Sequence, residues 1–360
     1  MQIDNSGLQL TYCTNIHPAN GWDAVWANLR RFAPALKARF APDRPFGLGL
    51  RLSAGEASEL LVSGRLADFR KWLDGSGLYV ALINGFPYGS FHGAPVKEVV
   101  YAPDWRQEAR VRYTLNLLEI LAVLLPKGME GGISTAPISY KAWMNKPDGV
   151  SVANLARIGR AMSGTNIHLD IEPEPDCVLE NVAETIEFFA AWRSEFGDRI
   201  QICFDCCHFA VEYEEPLSAI ARLQSAGIPI GRVQLSSAVH ATLPHDAGRL
   251  RAFADPTYLH QVVTREGEHY PDLTPALDSD DAGECRIHFH VPLFTPEYDG
   301  LGSTQDQVRT VIEHAVRTPF TKHLEIETYT WDVLPGKLKI DLLDSISREY
   351  DWVLSCARQS

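Results

Sequence analysis

Short apolar runs punctuate this chain, separated by longer stretches in which apolar residues recur every three to four positions. The runs are Leu8–Asn15, Phe46–Leu52, Leu78–Asn84, Gly132–Ile138, Asn166–Glu172, Ile200–Asp205, Gly231–Ser236 and His323–Glu327. Nearly continuous apolar character over so few residues suits strands buried on both faces. Amphipathic spacing marks helices over Trp22–Phe40, Ala54–Leu73, Trp105–Leu125, Val152–Met162, Val178–Phe196 and Leu217–Ala226. Strand then helix, repeated about eight times, predicts an α/β fold of the (β/α)8 barrel kind.

The strand ends sharpen this picture. Each run finishes in polar residues: Asn15 with His17, Arg51, Asn84, Ser134, Glu172, Asp205, Gln234 and Glu327. A barrel assembles its site at the C-terminal ends of its strands, where such residues are expected. Residues 243–286, rich in Pro, Gly and Asp, read as an elaborated loop inserted after strand seven, with a small hairpin at Gln261–Arg265 and His269–Leu273. Cys285–Phe294 reads as a ninth strand extending the barrel rim beside strand seven, with His288 and His290 on one side by the period of two. A closing helix is expected over 339–357, from Leu342, Leu343, Ile346, Tyr350, Val353 and Leu354.

Bulk properties narrow the classes. The 360 residues could build one large domain or two modest ones, and no linker or repeat divides them, so a single domain over 1–360 is expected. A net charge of -13 disfavours nucleic acid as a partner. Met1 to Gly7 is polar and includes Asp4, unlike a secretory signal, and no apolar stretch is long enough for a bilayer. A cytoplasmic location without membrane insertion is the expectation. Seven scattered cysteines argue for reduced thiols, with Cys206 and Cys207 as small buried residues.

Three segments carry chemistry. Ile200–His208 is an apolar strand that delivers Asp205 and His208 at its end. In Ile167–Pro175 the period of two puts His168, Asp170 and Glu172 on one inward face, and His323–Trp331 does the same with Glu325 and Glu327. Charge inside a barrel is costly unless paired or metal-bound. The acids therefore either bind a divalent metal or form a buried network with inward Arg51 or His168. Phe86, Tyr88 and Phe91, with Asn84 and His92, form a loop suited either to a small organic ligand or to packing over the barrel mouth. Asn15, His17, Arg51 and Lys141 are weaker site candidates. The insertion either folds His290 back as an added ligand or acid/base, or leaves it on the rim with His288.

These residues resemble the xylose-isomerase-like TIM-barrel superfamily. The resemblance implies metal ligands at Glu172 on strand five, Asp205 on strand six, Gln234 on strand seven and Glu327 on strand eight, with Asp205–His208 similar to the superfamily's Asp-x-x-His motif. Over nearly the whole chain the sequence resembles the EboE family of metabolite traffic proteins. That likeness is carried by Leu10–Pro18, Gly49–Ser53, Asn84–His92 and His288–Phe294.

The combined expectation is a divalent-metal-dependent sugar isomerase or epimerase acting on a small hydroxycarbonyl or polyol metabolite. Glu172, Glu327 and His208 would be catalytic, Glu172, Asp205, Gln234, Glu327 and His290 would hold the metal, and Asn15, His17, Arg51, Asn84, Phe86, Tyr88 and His92 would bind substrate. Oxygen ligands favour Mn²⁺ or Mg²⁺, and His290 would admit Zn²⁺ or Fe²⁺. The resemblance implies a role in maturation or export of secondary-metabolite precursors, with a membrane protein of the pathway as a partner. A non-catalytic metabolite carrier and an endonuclease IV-like phosphodiesterase are the alternatives, the second disfavoured by the acidic surface.

Overall fold

Eight apolar runs become eight parallel strands in a computed structural model that describes residues 1–3, 7–92, 95–279, 283–334, 336 and 339–359. They are β1 (Gln9–Tyr12), β2 (Phe46–Arg51), β3 (Leu78–Asn84), β4 (Gly131–Thr135), β5 (Ile167–Ile171), β6 (Ile200–Asp205), β7 (Ile230–Leu235) and, after six intervening strands, β14 (His323–Ile326). Their order is β1-β14-β7-β6-β5-β4-β3-β2, and Cys13 pairs with Gly49 where the two ends meet, so the ring all but closes. With alternating helices outside, this is a (β/α)8 TIM barrel. Asp4 and residues 280–282 of the insertion lie outside the described residues.

Helix boundaries follow local capping. Trp22–Phe40 forms as its spacing predicts. The single helix expected over Ala54–Leu73 is two, Ala54–Leu60 and Arg65–Ser76, because Gly64 turns the chain with φ near +88°. Ser53 and Glu56 make a reciprocal capping box at the first of them. The helix expected from Val178 begins at Val182, where the Asn181 side chain accepts from Glu184 N–H. The closing helix is Leu342–Arg358. Among the described residues no helix is long and apolar enough to cross a membrane.

The insertion departs most from expectation. It begins at Ser237, one residue after β7, not at Leu243. Strands β8 (Ser237–Leu243), β9 (Val262–Thr264), β10 (His269–Tyr270), β11 (Gly283–Val291), β12 (Glu297–Tyr298) and β13 (Leu301–Ser303) form a separate antiparallel sheet, ordered β10-β9-β11-β8-β13-β12. The hairpin near residue 265 is present as β9 and β10. The expected ninth strand is β11, but it pairs with β8 and β9 instead of extending the barrel. Its pairing with β8 slips between Ile287 and Val291, the stretch carrying both histidines. A slip of this kind re-aims side chains, here toward the barrel mouth.

Inside the barrel the inward charges fall into two layers. In the lower one Arg232 Nε donates to Asp170 Oδ2 at 2.9 Å and Arg232 Nη1 to Glu325 Oε2 at 3.2 Å, with all three side chains fully buried. His168 Nδ1 lies 2.5 Å from Asp170 Oδ1. Glycines opposite make the room: a Cβ on Gly49 would stand 1.4 Å from Glu325 Oε1, and one on Gly231 would stand 2.1 Å from Asp170 Oδ1. The buried-network reading thus holds for this layer, with Arg232 rather than Arg51 as the cation.

Arg232→Met should leave two buried acids uncompensated and destabilise the fold by about 3–5 kcal/mol. Chemical denaturation measures this, and a loss below about 1 kcal/mol would show that the acids find another partner.

Candidate metal centre

Two residues along β5 and β14 from Asp170 and Glu325 stand Glu172 and Glu327, on the same inward face and one layer nearer the mouth. With Asp205 at the end of β6 they bring three carboxylate oxygens within 4.8 Å of one another, all three residues buried. Glu172 N–H donates to Thr135 O and Glu327 N–H to Leu235 O, which fixes both at their strand ends. Asp205 caps the short helix Cys206–Val211: its Oδ1 accepts from His208 N–H at 2.9 Å and from Ser236 Oγ at 2.7 Å. The other oxygen, Asp205 Oδ2, is buried without a hydrogen-bond partner, as is Glu172 Oε2.

The electrostatics follow from that crowding. Burial pushes the Glu172 carboxyl up to about 8, with Asp205 and Glu174 adding to it. Burial, then Glu172, Asp205 and Glu325, raises Glu327 well above the usual carboxylate range. Burial alone would raise Asp205 too, but the His208 and His290 imidazoles, the His208 N–H and the Ser236 hydroxyl outweigh it and hold it low. Three buried acids cannot all ionise side by side without a compensating charge. The orphaned oxygens and the all-carboxylate donor set fit a hard divalent cation.

Several expected site residues reach this centre. Asn15 Nδ2 and Asn84 Nδ2 both donate to Glu327 Oε1, at 2.9 and 3.0 Å, so they orient an acid as well as line the cavity. Phe86 lines the cavity with Phe91, Tyr258 and Tyr329. His92 lies behind that wall, with Nδ1 2.9 Å from the Tyr258 hydroxyl and Nε2 facing the Asn15 carbonyl. Gln234 is buried in register with Asp205 and Glu325; its amide makes no hydrogen bond of normal geometry but faces Glu325 and offsets part of the rise in proton affinity that burial gives that acid.

Others are placed elsewhere. Arg51 Nη1 donates to Glu56 at 3.1 Å and its Nη2 to the Gly89 carbonyl, tying the capping box to the following loop. His17 stacks on Phe32, with Nε2 3.1 Å from the Tyr12 hydroxyl, and burial lowers its pKa to about 3. Tyr88 packs edge-on against Tyr113, and Lys141 pairs with Glu184 at 2.9 Å.

Above the acids three imidazoles gather. His288 Nε2 lies 3.2 Å from His208 Nε2 and 3.3 Å from His290 Nε2, and His290 Nδ1 is 3.7 Å from Glu327 Oε2. Glu174 lines the same space and accepts from the Tyr101 hydroxyl at 2.8 Å; burial lifts it to about 7. Sequence reasoning did not single out Glu174, although its spacing of two from Glu172 was there to read. Tyr258 and Tyr329 had no local signal, because only the tertiary fold brings them to the mouth.

No family model and no curated protein matches this chain. Among solved structures it is similar to a xylose isomerase-like TIM barrel protein from Mycobacterium smegmatis in complex with magnesium: TM-score 0.59, 10% identity, 98% of this chain and 97% of that one. It is also similar to IOLI protein with a binding zinc atom, TM-score 0.54 at 10% identity, covering 98% and 99%. L-ribulose 3-epimerase gives TM-score 0.52 at 13% identity, covering 98% and 96%. At such identities the likeness establishes the xylose-isomerase-like barrel fold.

Mn²⁺ at about 100 times its dissociation constant should stabilise the folded chain by about 2.7 kcal/mol, read as a rise in thermal midpoint. The Glu172→Gln/Glu327→Gln double variant should show no such rise. An equal rise in both proteins would place the cation elsewhere.

Proposed function

We propose that the chain is a divalent-metal-dependent isomerase or epimerase of a small hydroxycarbonyl or polyol metabolite. One observation carries this reading: Glu172 and Glu327, buried with Asp205 and raised in proton affinity, both face one aromatic-walled cavity at the barrel mouth. A divalent cation held by Glu172, Asp205 and Glu327, with Gln234 and His290 as further candidate ligands, would polarise a substrate oxygen.

The chain's own residues do the rest. Two carboxylates facing one cavity are suited to take a proton from carbon and return it, on one face or on opposite faces. Asn15 and Asn84 both donate to Glu327 Oε1 and so fix the orientation of that carboxylate. His208 stands 3.9 Å from Asp205, close enough to steady its charge. Phe86, Phe91, Tyr258 and Tyr329 wall the cavity and keep water from the reacting carbon.

The likeness to L-ribulose 3-epimerase supports the reaction class. An all-oxygen set supports Mn²⁺ or Mg²⁺, and imidazole participation would admit Zn²⁺ or Fe²⁺. The EboE-like segments support a place in precursor maturation or export, in the cytoplasm, beside a membrane protein of the same pathway.

Incubating metal-loaded protein with candidate sugars in heavy water should incorporate deuterium at a carbon beside the carbonyl. Glu327→Gln should slow that exchange by about 10²-fold or more, while Cys206→Ala leaves it unchanged. Loss of exchange in Cys206→Ala with none in Glu327→Gln would contradict an acid-centred mechanism. Bound metal without exchange on any sugar would favour a metabolite carrier instead.

A further inference from the structure

We infer that the substrate of the mouth cavity is a hydroxycarbonyl compound with an apolar far end rather than a polyol chain. The inference rests on the reading under Proposed function for the reacting end and adds what the rest of the molecule must be. The cavity is divided by polarity. Beside the strand ends, Glu172 Oε2 and Asn15 Oδ1 are buried without a hydrogen-bond partner, and both only accept. That side suits a hydroxyl donor. The opposite side is built from two apolar clusters distinct from the main core. One gathers Phe91, Val96, Tyr258 and Tyr329, the other Phe86 and Tyr101 with Ala136 and Cys177. Val100 packs against both clusters and Leu259 against the second, and both side chains line the cavity. Phe91, Tyr258 and Tyr329 form a triangle with ring centroids 5.1 Å apart.

The polar atoms of this wall are already taken within the protein. His92 Nε2 faces the Asn15 carbonyl, which only accepts, so Nδ1 of the neutral ring is left as the acceptor for the Tyr258 hydroxyl at 2.9 Å. The Tyr101 hydroxyl donates to Glu174 at 2.8 Å and accepts from Gln261 Nε2 at 2.9 Å. The Tyr329 hydroxyl lies 3.4 Å from His288 Nε2. Lys97, which also lines the cavity, donates from its ammonium to Asp272 Oδ2 at 2.6 Å and to the Asp255 carbonyl at 3.2 Å. A row of substrate hydroxyls laid against this side would leave water and find each of these groups engaged. Every hydroxyl buried so, without a partner, weakens binding by about 5- to 100-fold. An alkyl or aryl group loses nothing there and gains by leaving water, and an aryl group can also meet the wall's rings edge-on.

The wall and the acids come from different parts of the chain. Phe86, Phe91 and Val100 follow β3, Tyr258 and Leu259 belong to the insertion, and Tyr329 follows β14. The selectivity of the far end is therefore carried by segments added over the mouth, while the acids stand on the barrel strands themselves.

Isothermal titration calorimetry of the Mg²⁺-loaded full-length chain with 1-hydroxypentan-2-one and with L-ribulose tests the inference. The two share a carbon skeleton and a hydroxycarbonyl end and differ only in the hydroxyls of the far end. The first should bind at least about 10-fold more tightly. Leu259→Asn is a near-isosteric change at a partly buried position that puts an amide on the wall, and it should shrink this preference about 5-fold or more. Deuterium exchange is read separately. The preference without exchange on either compound would support the apolar end and count only against the isomerase reading. Exchange on L-ribulose held as tightly as 1-hydroxypentan-2-one, or more so, would support that reading and overturn this inference. So would failure of 1-hydroxypentan-2-one to bind, or a preference unaltered in Leu259→Asn.

Discussion

One guanidinium sets the charge balance of the barrel interior. Arg232 reaches Asp170 on one side and Glu325 on the other, with all three side chains fully buried from bulk solvent. An isolated carboxylate there would be driven neutral, so these two acids need that cation. The next layer up repeats the acids at Glu172 and Glu327, adds Asp205, and has no Arg or Lys among the ion pairs of the described residues. The contrast between a layer built around a buried guanidinium and one without such a cation separates the parts of the barrel that hold its shape from those available for chemistry. The small residues follow the same logic, since Gly49 and Gly231 leave the volume that the lower carboxylates fill.

The inserted sheet completes the centre from above. A barrel alone would present its strand-end acids to an open mouth. Here the slip between Ile287 and Val291 turns β11 so that His288 and His290 face inward, and Thr330 Oγ1 and Glu327 O bond to the backbone and ring of His290. Asn15, after β1, and Asn84, ending β3, close on Glu327 from the far side. The centre is thus assembled from the ends of β1, β3, β5, β6 and β14 and from the insertion, with Glu172 and Glu327 tied by backbone hydrogen bonds to neighbouring strands and Asp205 by its helix-capping bond.

Much of the scaffold is legible in the sequence because burial on both faces leaves unbroken apolar runs. Leu78–Asn84 and Ile200–Asp205 match their strands to the residue. The period of two also identifies which acids face inward. It cannot tell which will be paired: Asp170 and Glu172 look alike in sequence, and only the reach of Arg232 from β7 distinguishes them. Strand β8 is hidden by following β7 after one residue, and the break at Gly64 by the continuous spacing around it. His17 and Arg51 sit at strand ends as site residues do, yet Phe32 and Glu56 claim them, because partners distant in sequence decide side-chain direction.

The upper layer of acids, Glu172, Asp205 and Glu327, is the one expected to hold a cation. Anomalous diffraction from crystals grown with Mn²⁺ tests it most directly. The account predicts a peak between Glu172, Asp205 and Glu327, with carboxylate oxygens at about 2.0–2.6 Å. Those three carboxylates bonded only to water or to one another, with the manganese signal elsewhere, would contradict it.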